Sequence, residues 1–264
     1  MHTPASAAQD GAASPRLLYV HVADGQDTIT EGPRDDAQAN TSQLVPKGGV
    51  RIPRWSSASR AAVVDGAVSD DVLNRLYDYL LPFNVLVVPF RPARGDYTMV
   101  ILGGSPAAFG LPSGVTGLSD VDCGNQNANN IVFVFETSDT NPDVIAQIIA
   151  HEAGHSWGLD HSSLISDLMF PSVTDGQARS FVNDPEMTES PVCGLATQNT
   201  FAVLATNVGE WPAGSEKPLF LGDARSLSDG SGCAMSGDGR AGAGHVPLAC
   251  LIALAVLSVR KKRG

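Results

Sequence analysis

The segment that most constrains the fold of this chain is an apolar run that opens with Asn141-Pro142-Asp143 and closes with HEAGHSWGLDH, residues 151–161. Asn is a favoured helix N-cap, Pro fits the first helical position, and Asp suits the positive end of a helix. The run between them is apolar almost all round, which predicts a central, buried helix around which the domain packs. Gly158 is predicted to adopt the left-handed conformation at which such a helix ends.

Three of the six histidines of the chain lie in this segment. His151 and His155 are four residues apart, so they project from one helix face, roughly 6 Å apart along the axis. A turn at Gly158 brings His161 back as a third ligand. Three neutral nitrogens leave one position open for water, which is the arrangement of a catalytic zinc ion. Glu152 is then within reach of that water and is predicted to be the general base.

The alternative is that these histidines are ordinary residues of a hydrophobic core. An accidental match to the full HExxHxxGxxH pattern in this chain has a chance of roughly 10⁻⁵. A core role would also have to explain three histidines and the glycine together. The sequence therefore favours a single catalytic Zn²⁺ bound by His151, His155 and His161.

The remaining elements are predicted from periodicity and from capping residues. Ser69 is the expected N-cap of a helix that runs to about Leu81, and a further helix is expected around 197–208. Strands are predicted at 16–23, 84–90, 97–102 and 130–136, with loops at 24–60 and a glycine-rich stretch at 103–130. This order of elements predicts a layered α+β or α/β domain.

The motif resembles the zinc signature of the metzincin metalloproteases, in which HExxHxxGxxH is followed by a Met-turn. The segment 166–171, SDLMFP, is the matching turn, and its residues are most similar to those of the matrixin branch. The resemblance implies the zincin fold of the metzincins: a twisted mixed sheet with an active-site helix and a C-terminal helix. It also implies that Met169 forms an apolar floor under the metal, unless Met169 is an ordinary core residue.

Further implications of the resemblance concern the substrate. In the family, a protein or peptide substrate lies extended along an edge strand, and the stretch 114–119 is the candidate for that strand. Matrixins carry a Tyr two residues after the Pro of the turn, whereas here Pro171 is followed by Ser172 and Val173. Matrixins also bind Ca²⁺ and a second zinc ion, but no such site is placed here. Asp120 and Asp122 are interpreted as solvated loop residues.

None of the four cysteines forms a CxxC pair, which argues against a zinc ribbon. Cys123 and Cys193 lie in the predicted domain. They form either a disulfide, if the protein is exported, or two buried thiols.

The C-terminal region contains Gly232-Cys233 in a Gly/Ser-rich stretch, a weakly apolar run at 241–259, and four basic residues at 260–263. The strongly apolar part of the run is short for a permanent membrane span. The combination resembles the MYXO-CTERM class of bacterial C-terminal sorting signals. This resemblance implies export, a transient membrane segment, processing near Cys233 by a sorting protease, and attachment at the cell surface. A plain membrane anchor is the alternative.

These features divide the chain into four parts: a leader or signal-peptide remnant at 1–15, a metalloprotease domain at 16–212, a flexible linker at 213–231 and a sorting or transmembrane segment at 232–264. The leader lacks an apolar core but contains Ala5-Ser6-Ala7, which has the form of a cleavage site. A remnant of an export signal and a plain leader both remain open.

The net charge of −11 argues against a nucleic-acid partner, because no basic surface could dominate. The predicted function is an exported, surface-anchored zinc endopeptidase. The alternative is a metzincin-fold module that holds zinc without cutting, as a binding or adhesion protein. The residues after Pro171 motivate this alternative, whereas the presence of Glu152 argues against it.

Overall fold

The computed structural model describes residues 14–56, 62–64, 66–137, 141–173 and 176–218. The chain divides into two compact units, 1–230 and 231–264. The second unit lies wholly outside the described residues. So do most of the predicted leader, the Gly232-Cys233 pair and the apolar run with its basic end, and those predictions remain as stated.

The elements follow one another in this order: β1 (Arg16–Val22), β2 (Thr28–Glu31), β3 (Thr41–Ser42), β4 (Val50–Arg51), β5 (Val63–Val64), β6 (Ala67–Val68), α1 (Asp70–Leu80), β7 (Val85–Val88), β8 (Tyr97–Leu102), a 3-10 helix (Pro106–Phe109), β9 (Gly117–Leu118), β10 (Ile131–Val134), α2 (Pro142–Ser156), β11 (His161–Ser162), β12 (Glu186–Glu189), β13 (Thr197–Gln198) and α3 (Thr200–Val208).

A five-stranded sheet with the order β7-β1-β8-β10-β9 forms the centre of the fold. The first four strands are parallel, and β9 runs antiparallel to β10 at the edge. The parallel strands are apolar on both faces because both faces are covered. One mixed sheet with helices gathered against it makes an α+β domain, as the sequence predicts.

All three helices share one core with one face of this sheet. Leu18 and Val20 of β1 point into the core that holds α1, α2 and α3, whereas Leu17 and Tyr19 point into a second core on the opposite face. Ile29 and Val50, from β2 and β4, belong to this second core. The alternation follows from the two-residue period of a strand.

The predicted helix caps are present. The Ser69 side chain accepts a hydrogen bond from Val72 N at the start of α1, and the Asn141 side chain accepts one from Asp143 N at the start of α2. Helix α2 is buried from Val144 to Ser156, which fits its apolar character on all sides. The two most strongly predicted helices therefore begin where their sequences indicate.

The prediction of a loop at 24–60 is wrong. The described part of 24–60 contains β2, β3 and β4, which form a small sheet. In the glycine-rich stretch, β9 lies within the predicted edge-strand segment 114–119, whereas the 3-10 helix has no counterpart in the predictions. The last helix begins at Thr200 rather than at 197, because 197–198 pair with β12 as β13. Strands as short as β2, β3 and β4 carry too little alternation to be predicted from their own sequence. The strands β7 and β10 have four residues each, but they are recognisable because all of these residues are apolar.

The ordered domain also extends beyond residue 212. Lys217 is 6% exposed, and its Nζ donates hydrogen bonds to the carbonyl oxygens of Leu80 and Phe83 at the end of α1. The predicted linker therefore includes a residue that closes the domain. Among the described residues, no helix has both the length and the apolar character that a membrane crossing requires.

Candidate metal centre and cleft

The three histidines of the motif converge on one point. His151 and His155 project from α2, and His161 opens β11 just beyond the helix. The Nε2 atom of His151 lies 3.1 Å from that of His155 and 3.3 Å from that of His161. Among the described residues, these three side chains form the cluster of His, Cys, Asp or Glu groups that could hold a metal ion.

Backbone carbonyls fix the ring state of two of these histidines. His151 Nδ1 lies 2.7 Å from Leu168 O, and His155 Nδ1 lies 2.7 Å from Leu159 O. A carbonyl oxygen only accepts, so each Nδ1 carries the proton and donates it, which leaves Nε2 with a free lone pair. The Nε2 atoms of His151 and His155 therefore face each other as acceptors. A cation bound between them stabilises this arrangement.

The spacing and the electrostatics both fit zinc. Two nitrogens bound to a tetrahedral zinc at its usual bond length lie roughly 3.3 Å apart, which matches the observed distances. Burial lowers the pKa of His151 to about 4 and lowers that of His155 well below its ordinary value. The pKa of His161 is lowered by burial as well, although Glu189 and Asp160 oppose this. Neutral imidazoles are the form that binds a metal.

Gly158 makes the turn that returns His161 to the site. Its φ of +94° is in the region that side chains rarely adopt. A Cβ at this position would also lie 2.9 Å from Asp122 O and 3.0 Å from Gly124 N. Both the conformation and the space therefore require glycine here, as the sequence predicts.

Met169 lies fully buried against helix α2. Its Sδ atom is 2.6 Å from the position that a Cβ at Gly154 would occupy, so the missing side chain of Gly154 makes room for the sulfur. The backbone of Met169 is held by Ser162 N, which donates to its carbonyl, and by Asp167 Oδ1, which accepts from its N–H. The turn thus packs against α2 at Gly154 and supplies the Leu168 carbonyl that orients His151.

Glu152 is 8% exposed, and its carboxylate faces the edge strand β9. Ser119 Oγ donates a hydrogen bond of 2.7 Å to Glu152 Oε2. Burial raises the pKa of Glu152 to about 7, and the hydrogen bond from Ser119 opposes this rise. A Cβ at Gly117 would overlap the Glu152 carboxylate, so the strand passes close over this group only because residue 117 is glycine.

An open cleft of about 660 Å³ lies over the histidines and Glu152. One side is the segment Ser113–Ser119, which contains β9, the predicted edge strand at 114–119. Apolar side chains of Ile148, Pro171 and Val173 contribute another part of the lining, and Glu189, Ser190 and Val192 contribute the rim beside His161. Val173 thus lines the cleft near the position of the family's tyrosine.

The rim beside His161 is held by a buried carboxylate and a disulfide. Asp160 is 2% exposed, and its side chain accepts hydrogen bonds from Val192 N at 2.7 Å and Cys193 N at 3.1 Å. Cys193 is joined to Cys123 in a disulfide with a Cα–Cα distance of 5.5 Å. Of the two alternatives that the sequence left open for these cysteines, the structure therefore contains the disulfide.

Two other acidic residues, both in the glycine-rich stretch, accept hydrogen bonds from protein groups. Asp122 accepts hydrogen bonds from the backbone N–H groups of Gln126 and Asn127, and Asp120 accepts one from the Gln43 side chain. Both are half-buried rather than freely solvated. Calcium and a second zinc remain unplaced among the described residues.

Ser119, Asp160 and Glu189 are the site residues that sequence reasoning missed. Ser119 was included only as the end of the edge-strand segment. The partners of Ser119 and Asp160 are 33 and 32 residues away, so no local pattern marks them. Glu189 lies on a strand that was not predicted.

Comparison with known families agrees with this geometry. The sequence model of the matrixin peptidase family matches residues 108–189, which include β9, all of α2 and the Met169 turn. No curated protein matches the chain. The matched segment and the histidine cluster together support a zinc metallopeptidase of metzincin-like type, and the α+β architecture is consistent with the matrixin fold.

Proposed function

We propose that this protein is a zinc-dependent endopeptidase that cuts extended segments of protein or peptide substrates. One observation carries the proposal: the Nε2 atoms of three histidines converge beside a buried glutamate at the floor of an open cleft, and carbonyl contacts leave two of these nitrogens with free lone pairs. His151, His155 and His161 would hold the ion, and Glu152 would be the general base. The match to matrixins over this segment supports the same assignment.

Zinc, when bound by three neutral histidines, lowers the pKa of water to about 7 and polarises a carbonyl group. Glu152 accepts a proton from the attacking water and later donates it to the leaving amine. Ser119 holds one carboxylate oxygen of Glu152, so the other oxygen is the one directed to the water. The apolar surroundings raise the pKa of Glu152, which makes its carboxylate a stronger base toward the proton of the attacking water.

The substrate is positioned by the edge of the central sheet. Among the described strands, β9 pairs with β10 alone, and its other side borders the cleft. An extended peptide can pair with this free side through backbone hydrogen bonds, which is a common mode of peptide recognition. The scissile bond then lies over the histidines without any side-chain contact being required.

The test compares the full-length protein with two variants on casein and on a quenched peptide library, with and without chelator. Glu152→Gln keeps the shape of the side chain but removes the base. We expect its kcat/KM to fall by about 10²–10⁴-fold, with the bound zinc unchanged by elemental analysis. Glu216→Gln, an exposed glutamate outside the cleft, is the matched control and should behave as wild type.

Zinc binding without chelator-sensitive cleavage would instead identify the chain as a non-catalytic module. Full activity of Glu152→Gln would remove the proposed general base. Absence of bound metal from folded protein would remove the proposal altogether.

We also propose that the protein is exported and attached to the cell surface through its C-terminal region. The tail that resembles a MYXO-CTERM signal supports this, as does the Cys123–Cys193 disulfide, because disulfides persist in oxidising compartments. The intact mass of protein recovered from the cell surface would test it. Cleavage near Cys233, blocked by Cys233→Ala, is the expected result, and protein found only in the cytoplasm would contradict it.

A further inference from the structure

The rim of the cleft beside His161 is built from β12 and the loop that follows it, and it is fixed at three points. Strand β12 pairs with β11, which places Glu189 opposite His161 and Thr188 opposite Ser162. Asp160 binds the backbone of Val192 and Cys193. The disulfide joins the same loop to Cys123. The rim therefore keeps its position relative to the histidine ligands.

Glu189 is the residue of this rim that faces the reacting centre. Directly opposed residues of an antiparallel pair project from the same face of the sheet, with Cβ atoms about 5 Å apart. The His161 side chain points into the cleft, so the Glu189 side chain lies on the same side, and both residues line the cleft.

The carboxylate of Glu189 is available to a ligand. Its residue is exposed, and within the part of the chain that the structure describes, no hydrogen bond or ion pair engages its side chain. Asp160, by contrast, is buried and its oxygens are occupied by backbone N–H groups. Among the described residues, no lysine or arginine lines the cleft, so none of them competes for Glu189 there.

We propose that Glu189 is a specificity-determining residue that selects a lysine or arginine side chain close to the bond that is cut. This inference rests on the proposed peptidase function. A basic side chain of an extended substrate would meet a carboxylate that, among the described residues, has no hydrogen-bond or ion-pair partner, whereas an acidic one would meet like charge from Glu189 and from the nearby Asp160. Because the pair is exposed, we expect a preference of about fivefold rather than an absolute requirement.

The experiment uses full-length, zinc-loaded protein and a peptide library in which one position at a time is randomised around the cut. Wild type is expected to enrich Lys and Arg at one position within three residues of the cut, and the preference should shrink at high salt. Glu189→Lys should lose this preference or invert it toward Asp and Glu. Glu186→Lys is the matched control, because it makes the same charge change on the same strand. Residue 186 is an odd number of positions from residue 189, so its side chain projects from the opposite face of the strand.

Each outcome has a distinct meaning. A basic preference that is lost in Glu189→Lys but kept in Glu186→Lys supports the inference. Cleavage without a basic preference, or a preference that survives in Glu189→Lys, overturns it and leaves the peptidase proposal intact. Loss of bound zinc from Glu189→Lys would also overturn it, because Glu189 would then act through His161. Absence of cleavage by wild type refutes the peptidase proposal itself.

Discussion

Gly117 is the residue at which the edge strand comes closest to the proposed general base. The Glu152 carboxylate occupies the space that a side chain at 117 would need. The backbone of Gly117 is not in the left-handed region, so alanine could adopt its conformation without strain. The requirement for glycine at this position is therefore purely one of space.

This makes Gly117→Ala a selective probe of the position of Glu152. The added methyl group should push the carboxylate aside and break its hydrogen bond to Ser119, while the three histidines keep their backbone positions. A displacement of about 1 Å costs on the order of 100-fold in rate, so we expect a loss of that size in kcat with normal zinc content. A variant that retains full kcat would show that the placement of Glu152 is not limiting.

Individual residues of the metal centre were predictable because their spacing is local. His151, Glu152 and His155 lie on one helix, and Gly158 and His161 follow within six residues of it. Ser119 and Asp160 were not predictable as site residues, because each acts through hydrogen bonds with a segment more than thirty residues away. Such contacts leave no periodic signal in the sequence.

Among the elements, β12 and the loop to Cys193 depend most on a covalent bond. Their own pairing is short, with two register positions to β11 and two to β13. Such brief strands are weakly stable alone. The disulfide, which spans 70 residues of chain, therefore contributes much of the stability of this rim.

Replacing both Cys123 and Cys193 with serine should lower the free energy of unfolding by about 4 kcal/mol, the value expected from the entropy of a loop of this length. Urea unfolding of the zinc-loaded protein measures this loss. Wild type treated with reductant is the matched comparison and should show the same midpoint as the double variant. A double variant as stable as oxidised wild type would contradict a structural role for the bond.

The elements that could be predicted are those with strong local sequence signals, such as helix caps and continuous apolar runs. Ser69 and Asn141 cap α1 and α2, and both helices begin where these residues indicate. The parallel strands β1, β7, β8 and β10 were predicted because they are continuously apolar. Strands β2 to β4 and β11 to β13 were missed because their pairing is decided by tertiary contacts rather than by their own residues.

For the whole molecule, a metal ion held by the three histidines would join helix α2 to β11, which are otherwise connected through the bend at Gly158. A ligand that binds only the folded state stabilises it, by about 4 kcal/mol at a thousandfold excess over its Kd. We therefore expect a chelator to lower Tm and added zinc to restore it.

Differential scanning fluorimetry of two histidine variants checks the origin of this effect. His161→Gln should have a Tm that no longer responds to chelator. His21→Gln removes a histidine that pairs with Asp27 outside the metal centre, and it should respond as wild type does. An unchanged chelator response in His161→Gln would argue against the three-histidine site.

The C-terminal extent of the domain is a property of the whole molecule that the sequence did not reveal. Lys217 closes the end of α1 through Leu80 O and Phe83 O, and its Nζ also lies 5.4 Å from the centre of the Trp211 ring. Burial lowers its pKa to about 8. A single lysine in a polar stretch carries no sequence signal for such a role.

A chain that ends at residue 212 should therefore be less stable than one that ends at 230, by about 2 kcal/mol for hydrogen bonds from a charged donor. Lys217→Met in the longer chain should reproduce most of the loss, which chemical denaturation would measure. Equal stability of the two chain lengths would place the domain boundary at 212 after all.

The shortness of β9 has a consequence for what the protein could recognise. A strand of two residues offers an incoming chain only a few backbone hydrogen bonds, each contributing about 1 kcal/mol net. Helices and the inner strands of folded sheets have already used these groups internally, so they gain nothing by docking. Under the proposed function, frayed termini, surface loops and unfolded chains would be attacked, whereas well-packed proteins would survive contact with the enzyme.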